Sequence, residues 1–389
     1  MGDKPLAGVR VLEFARVLAG PWAGQLLADL GADVIKIENP DGGDETRHWG
    51  PPFIEKPDRS DRSAAYFHAC NRGKRSVALD LKDATDLEIA KALSVQADVV
   101  IENFKVGTMD RLGLGFETLR QSNPDIVYCS ITGFGQTGPY KDRAGYDFII
   151  QGMSGFMSIT GEADGQPMKA GVAITDILTG LYAVAAINAA LVKALKSGAG
   201  THIDIALMEV MAAALANQNM NFLVTGNAPT RLGNAHPNIA PYQVVPSSDG
   251  HLIIAAGNDK QFERLCAMLG LEGLANDPRF ATNGARVENR RALTDALEPV
   301  TSRWTRDALV NACAERGVPA GPINTIADMF DDPQIVSRQL QVMTENGVTG
   351  VRSPLLVDGA PAADLRSSPS LGQHTQNIRK QALKDWPTQ

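Results

Sequence analysis

Asp176 stands in the run Gly171-Val172-Ala173-Ile174-Thr175-Asp176-Ile177-Leu178-Thr179-Gly180, a carboxylate set among apolar residues. The pattern predicts a strand-like segment over Gly171–Thr175 that hands over to a long apolar helix, so the charge is expected near an interior site with few cationic neighbours. Two roles suit a carboxylate there. As a helix cap it accepts hydrogen bonds from the free N–H groups of the first turn. As a reactive group it gains from the same helix start, which stabilises the ionised form and offers N–H donors to a bound acyl oxygen. The two roles are compatible, and the rest of the chain has to decide how much weight each carries.

Other motifs fall short of the chemistry they suggest. Gly133-Phe134-Gly135-Gln136-Thr137-Gly138 matches G-x-G-x-x-G after a strand, but a dinucleotide site needs a helix to begin inside the motif, and Pro139-Tyr140-Lys141-Asp142-Arg143-Ala144-Gly145 follows as loop. Nicotinamide and flavin are therefore not expected. There is no Gly-x-x-x-x-Gly-Lys-[Ser/Thr], and Gly152-Met153-Ser154-Gly155-Phe156 is one residue short of a nucleophile elbow. The six histidines include no i,i+4 pair, so no metal is expected from them. Cys70, Cys129, Cys266 and Cys313 are far apart and read as reduced, buried thiols.

The elements that must position Asp176 begin with a βαβ unit. Val9–Phe14 reads as a strand, Pro21–Leu30 as a helix opened by Gly20-Pro21, and Asp33–Glu38 as a second strand. A helix over Asp86–Gln96 and strands over Val99–Glu102 and Asp125–Ile131 continue the alternation, which implies an α/β parallel sheet covered on both faces. Two apolar helices are expected at Ile177–Leu195 and Ile205–Leu223, ended by Gly198 and Gly226. Asn227–Asp249, with four prolines, reads as linker and loop. A strand at His251–Ala256 and amphipathic helices at Gln261–Leu269, Arg290–Leu297 and Arg306–Arg316 make a second, smaller α+β unit, and Gly317–Pro322 marks the return. The expected division is 1–225 for the large domain, 226–325 for linker and small domain, and 326–389 for a C-terminal segment returning to the large domain.

At 389 residues, 44% hydrophobic and 21% charged, the chain suits two globular domains. Its net charge of −7 gives no general electrostatic reason to bind nucleic acid or an anionic membrane, so a polyanionic ligand needs a local basic cluster. The longest uncharged helical run, Ile177–Val192, is shorter than the roughly 20 residues that span a bilayer. Met1–Arg10 has no apolar core of signal-peptide length, and the expected location is the cytoplasm, with the mitochondrial matrix left open.

Taken in order, several segments resemble the class III (CaiB/BaiF-type) CoA-transferase family, which includes formyl-CoA, carnitine and succinyl-CoA:glutarate CoA-transferases. They are Leu6–Glu13, Ala19-Gly20-Pro21, Leu27–Glu38, Asn71-Arg72-Gly73-Lys74-Arg75-Ser76, Glu102-Asn103-Phe104, Gly133–Pro139 and Gly171–Asp176, with Gly317–Pro322 extending the match. The resemblance implies a Rossmann-like parallel-sheet large domain built from both chain ends, a small domain, and an interlocked homodimer. It implies that Asp176 is a covalent nucleophile, passing through a mixed anhydride to an aspartyl-CoA thioester that an acceptor acid discharges. Coenzyme A enters as the acyl-CoA substrate, and no metal, nicotinamide or flavin is called for.

By the same resemblance, Lys74, Arg75 and Arg111 are candidate phosphate contacts, Val17, Ala19 and Phe104 line the adenine and pantetheine path, and Asn103 is a further candidate CoA contact. For Lys74 and Arg75 a solvated loop is the alternative. Asn39 departs from relatives that carry arginine after Ile-Glu, which puts the adenosine contacts in doubt. Tyr146 stands where related α-methylacyl-CoA racemases carry a histidine base; tyrosine, with an ordinary pKa near about 10, is a poor base and favours transfer over racemisation. Tyr146 and Asp147 are candidate substrate contacts, with packing at a strand end the alternative for Tyr146. Gly233–Tyr242 occupies the place of a lid, where His236 is a candidate partner of the acceptor carboxylate or a loop histidine with a structural hydrogen bond. The expected reaction is CoA transfer from a donor such as succinyl-CoA to a short dicarboxylate such as glutarate. A racemase on the same scaffold and a catalytically silent acyl-CoA binder are the alternatives.

Overall fold

The computed structural model describes residues 4–55 and 62–387. Six parallel strands form its central sheet: Arg10–Glu13 (β1), Asp33–Glu38 (β2), Lys74–Ala78 (β3), Val99–Glu102 (β4), Val127–Thr132 (β5) and Thr201–Ala206 (β6). Their spatial order is β3-β2-β1-β4-β5-β6. Leu12 sits between Ile35 and Val100, and such Val/Ile-rich runs are what a sheet covered on both faces requires. The chain steps outward from β1 to β3, then crosses back to lay β4 on the other side of β1. A crevice opens beyond the carboxyl ends of strands at such a reversal, and ligands of open α/β sheets bind there.

Helices Ala19–Asp29 (α1), Ala84–Gln96 (α2), Asp147–Met153 (α3), Ile174–Ser197 (α4) and Leu207–Ala214 (α5) belong to the same unit. One core joins Ala23 and Leu27 of α1 to Ile101, Val127, Ala183 and Ile187. A second joins Leu12, Phe14 and Val100 to Ile89 and Leu93 of α2, and to Ile378 from the helix Thr375–Gln381. The unit comprises residues 1–156, 169–220 and 333–389, so both ends of the chain build it.

Two expectations are corrected. Gly171–Thr175 is not a strand: α4 begins at Ile174, which places Asp176 within the first turn rather than ahead of it. The helix expected over Ile205–Leu223 is instead the end of β6, helix α5, and a further helix Asn217–Thr225. Ile203 and Ile205 alternate there with exposed His202 and Asp204, a period-two pattern that the long apolar stretch around it hides. At 24 residues α4 also outruns the expected helix Ile177–Leu195. It is long and apolar enough by length and composition to cross a membrane, yet Ala183, Val184, Ile187 and Ala190 are buried against the sheet and α1.

Gly180 is a close contact between α4 and α1. A Cβ there would stand 2.8 Å from the Ala19 carbonyl oxygen and 3.0 Å from Trp22 Cδ1, too close for either to be relieved by a flexible side chain. Gly180→Val is therefore expected to lower stability by about 1–3 kcal/mol despite the removal of a helical glycine, read as a lower denaturant midpoint at unchanged slope. An unchanged midpoint would show that the two helices are not held at this distance.

The second unit comprises residues 157–168 and 221–332. Its antiparallel strands Tyr242–Ser247 (β7), Gly250–Ala255 (β8) and Ala320–Pro322 (β9) run in the order β9-β8-β7. Helices Asp259–Leu269 (α6), Arg290–Thr301 (α7) and Arg306–Glu315 (α8) bury Phe262, Leu265, Leu297 and Leu309 with Leu252 and Ile254. Arg286 is fully buried beneath them, donating to the Ala240 and Phe280 carbonyls and pairing with Asp259.

Candidate active site

The crevice at the carboxyl ends of β1 and β4 is a cleft of about 200 Å³. Arg16–Ala19 leave β1 along one wall, Asn103–Val106 leave β4 along another, and Lys141–Asp147 lead into α3. Asp176 reaches the cleft from the first turn of α4. The glycine motif after β5 serves this geometry by close approach: a Cβ on Gly133 would stand 2.5 Å from the Gly145 Cα, so the two backbones touch.

Asp176 does not cap its helix. That role belongs to Asp147, whose Oδ1 accepts from the Thr175 N–H at 2.8 Å and the Asp176 N–H at 3.4 Å, while Gln151 Nε2 donates to its Oδ2 at 2.6 Å. Asp147 is thus a carboxylate held at the N-terminus of α4, where the N–H groups favour negative charge. Burial, and then the like charge of Asp147, push the Asp176 carboxyl up to about 7. No lysine or arginine pairs with Asp176 among the described residues. A carboxylate left without a cation in a partly dry cleft remains basic and available as a nucleophile once ionised.

The residues read from the sequence do not all gather here. Val17, Ala19, Asn103, Phe104, Tyr146 and Asp147 line the cleft with Asp176. Asn103 spends its side chain on the backbone of Arg16, its Oδ1 accepting from the Arg16 N–H at 2.9 Å and its Nδ2 donating to the Arg16 carbonyl at 2.7 Å. Buried Glu102 accepts from the Phe104 N–H at 2.8 Å and fixes the same turn, and burial raises its carboxyl to about 7. Tyr146 is 62% exposed, so the packed alternative does not describe it.

Lys74 and Arg75 are corrected: both are buried and neither faces the cleft. Lys74 Nζ donates to Glu13, the Pro21 carbonyl and Asn71, and burial lowers its pKa. Arg75 pairs with Asp33. These cations neutralise carboxylates inside the sheet, so neither the phosphate role nor the solvated loop applies. Arg111 is exposed on the short helix Thr108–Arg111, donating to Thr108, and does not line the cleft. Asn39 is exposed, its Oδ1 accepting from the Asp41 N–H. His236 belongs to the second unit, where its Nδ1 accepts from the Asn238 N–H and its ring meets Tyr242 at 5.2 Å; this is the structural hydrogen bond of the loop alternative.

The cations that do line the cleft are Arg16, Lys105, Lys141 and Arg143. Arg16 pairs with Glu45 at 2.5 Å and lies over the Phe104 ring, while the Arg143 guanidinium stands 3.8 Å from the centre of the Tyr140 ring. Lys141 and Arg143 sit in the segment read from the sequence only as loop, and their charge was the signal that could have found them. Tyr66 was also missed. Burial first, then the charge of Asp176, raise its hydroxyl to about 12, and its ring meets Trp49 edge-on at 5.4 Å. Tyr66 does not line the cleft, and its electrostatic coupling to Asp176 depends on the tertiary fold rather than on any local pattern.

Comparison with known proteins places this cleft in context. Residues 6–375 match CoA-transferase family III. The chain is 58% identical to a succinate–glutarate CoA-transferase of Agrobacterium fabrum over 96% of its own length and 94% of the relative's. It is 40% identical to the human succinyl-CoA:glutarate CoA-transferase, covering 98% of this chain and 86% of that one. A crystal structure of a CaiB/BaiF family protein from Brucella suis matches with a TM-score of 0.87 at 55% identity, over 98% of this chain and all of the other. The chain belongs to CoA-transferase family III and is a CoA-transferase.

Proposed function

We propose that this member of CoA-transferase family III moves CoA from succinyl-CoA to glutarate through a covalent intermediate on Asp176. The observation that carries the reading is Asp176 itself: a carboxylate at the head of the cleft, raised to about 7, with no cationic partner among the described residues to quench it. The names of the bacterial and human relatives support the donor and acceptor.

The ionised Asp176 oxygen attacks the succinyl thioester carbonyl, the C–S bond breaks, and CoA leaves as a thiolate. A succinyl-aspartyl anhydride remains. The thiolate then attacks the aspartyl carbonyl, expelling succinate and leaving CoA bonded to Asp176. A glutarate carboxylate displaces CoA to form the second anhydride, and the returning thiolate attacks the glutaryl carbonyl. Glutaryl-CoA departs and Asp176 is restored as a carboxylate, with each bond broken matched by one formed. The open cleft cations, Lys105, Lys141 and Arg143, suit the phosphates of CoA, which Lys74 and Arg75 cannot reach.

The reading includes a homodimer. Leu181, Tyr182, Val192 and Leu195 are exposed along one side of α4, and a mostly apolar groove of about 620 Å³ beside it is lined by Trp22, Leu26, Ile177 and Val351. Apolar surface of that extent is suited to a second copy of the chain. Transfer rather than racemisation is supported by Tyr146, which offers no imidazole beside Asp176.

The test is intact-protein and peptide mass spectrometry after mixing with succinyl-CoA, followed by a panel of acids. A CoA adduct on the peptide containing Asp176, discharged by glutarate with formation of glutaryl-CoA, is expected. If no adduct forms and no acid becomes a thioester, the mechanism is wrong.

A further inference from the structure

We infer that Asp44, which does not itself line the cleft, is a positioning residue for acyl-CoA binding, holding Val17 in a backbone conformation that Val17 would not otherwise adopt. The inference rests on the cleft being the acyl-CoA site.

Val17 lines the cleft with a φ of +71°. That is the left-handed region, where a side chain branched at Cβ crowds the following carbonyl, so an outside force has to hold it. Side chains hold the turn from Ala15 to Val17 at the Ala15 carbonyl and at both backbone groups of Arg16 and of Val17. Lys36 Nζ donates to the Ala15 carbonyl at 2.6 Å. Asn103 takes both the N–H and the carbonyl of Arg16. The Val17 N–H donates to both oxygens of Asp44, at 3.3 and 3.2 Å, and the Cys70 thiol donates to the Val17 carbonyl at 3.7 Å.

Asp44 has nothing left over for substrate. Its Oδ1 also accepts from the Thr46 N–H and hydroxyl, and its Oδ2 faces Lys36 Nζ at 3.0 Å. Lys36 in turn pairs with Glu13, and all three charges are buried. Burial acts to raise the Asp44 carboxyl, but the Lys36 charge and the Thr46 bonds outweigh it, so Asp44 stays ionised at neutral pH. What this buried charge does for the reaction is transmitted through the Val17 N–H. If the Val17 φ returned to negative values, the peptide planes on either side would turn over and carry Leu18 and Ala19 off the cleft wall.

The test is a mutant cycle in the full chain, reading KM for succinyl-CoA and CoA affinity by calorimetry. Asp44→Asn is expected to raise KM about tenfold with a smaller change in kcat. In a Val17→Gly background the same substitution should change KM by less than about threefold, because glycine takes a positive φ freely. In a Val17→Ala background the full tenfold loss should persist, because alanine shares the cost of that conformation while lacking the valine side chain. Equal responses in the glycine and alanine backgrounds, or an unchanged KM in Asp44→Asn, overturn the inference. Should Asp44→Asn fail to fold for want of a charge opposite Lys36, Asp44→Asn/Lys36→Met removes both charges and is compared across the same two backgrounds. Binding and transfer by the unsubstituted chain test the functional reading separately.

Discussion

Asp176→Ala is expected to abolish CoA transfer, lowering kcat/KM by more than about 10³-fold, while making the folded chain more stable above neutral pH. The first effect follows from the proposed covalency: the neighbouring Asp147 carboxylate is committed to the Thr175 and Asp176 N–H groups and does not replace the thioester-forming group. The second follows from the environment. The Asp176 carboxyl is raised to about 7, first by burial and then by Asp147, whereas in the unfolded chain it titrates near about 4. Between those values the folded state keeps a proton that the unfolded state has lost. Stability therefore falls as pH rises through this window, by on the order of 4 kcal/mol once pH exceeds the folded value. Asp176→Asn and Asp176→Ala lack this loss. Their melting temperatures should diverge upward from the unsubstituted chain between pH 5 and 8, and transfer by either variant, or parallel melting curves, would contradict the assignment. On this reading the site gives up stability to keep a carboxylate that has no cationic partner among the described residues, a common trade at a reacting group.

Much of the fold was legible because periodicity and breakers speak locally. Val9–Phe14, Gly20-Pro21 and Asp33–Glu38 predict the βαβ unit that the structure contains as β1, α1 and β2. The start of α4 was misjudged for the same local reason. Gly171 and the β-branched Val172, Ile174 and Thr175 favour extended backbone, but Asp147 reaches across from α3 to satisfy the freed N–H groups and lets the helix begin at Ile174. A cap supplied from 28 residues away leaves no mark beside the helix it caps.

The site divides in the same way. Val17, Asn103 and Phe104 follow the ends of readable strands, Ala19 opens α1 and Asp176 lies in the first turn of α4, and they meet where the sheet reverses direction. Lys74 and Arg75 were misplaced because sequence shows charge and not burial. Their partners Glu13 and Asp33 lie in or at the start of neighbouring strands, and parallel pairing of β3 with β2, and of β2 with β1, is what brings the four together. Arg16, Lys105 and Arg143 stood in plain view, but only the crossing of β4 beside β1 gives them a common cleft.

Asp147 is the second residue whose loss should be large, and two substitutions separate its two effects. Its carboxylate holds the first turn of α4 through the Thr175 and Asp176 N–H groups, and its charge raises the Asp176 carboxyl. Asp147→Asn keeps an oxygen to accept those bonds but removes the charge. The Asp176 carboxyl should then titrate lower, and because attack requires the ionised form, the acid limb of the pH–rate profile should move to lower pH with the plateau rate within about tenfold. Asp147→Ala removes the acceptor as well. The uncapped turn should cost about 1 kcal/mol of stability, and transfer should fall by about 10²-fold at every pH, because a nucleophile displaced by an ångström loses its alignment with the thioester. Profiles for the two variants that coincide would mean that Asp147 acts by charge alone or by position alone. An unmoved acid limb in Asp147→Asn would mean that the limb does not report Asp176.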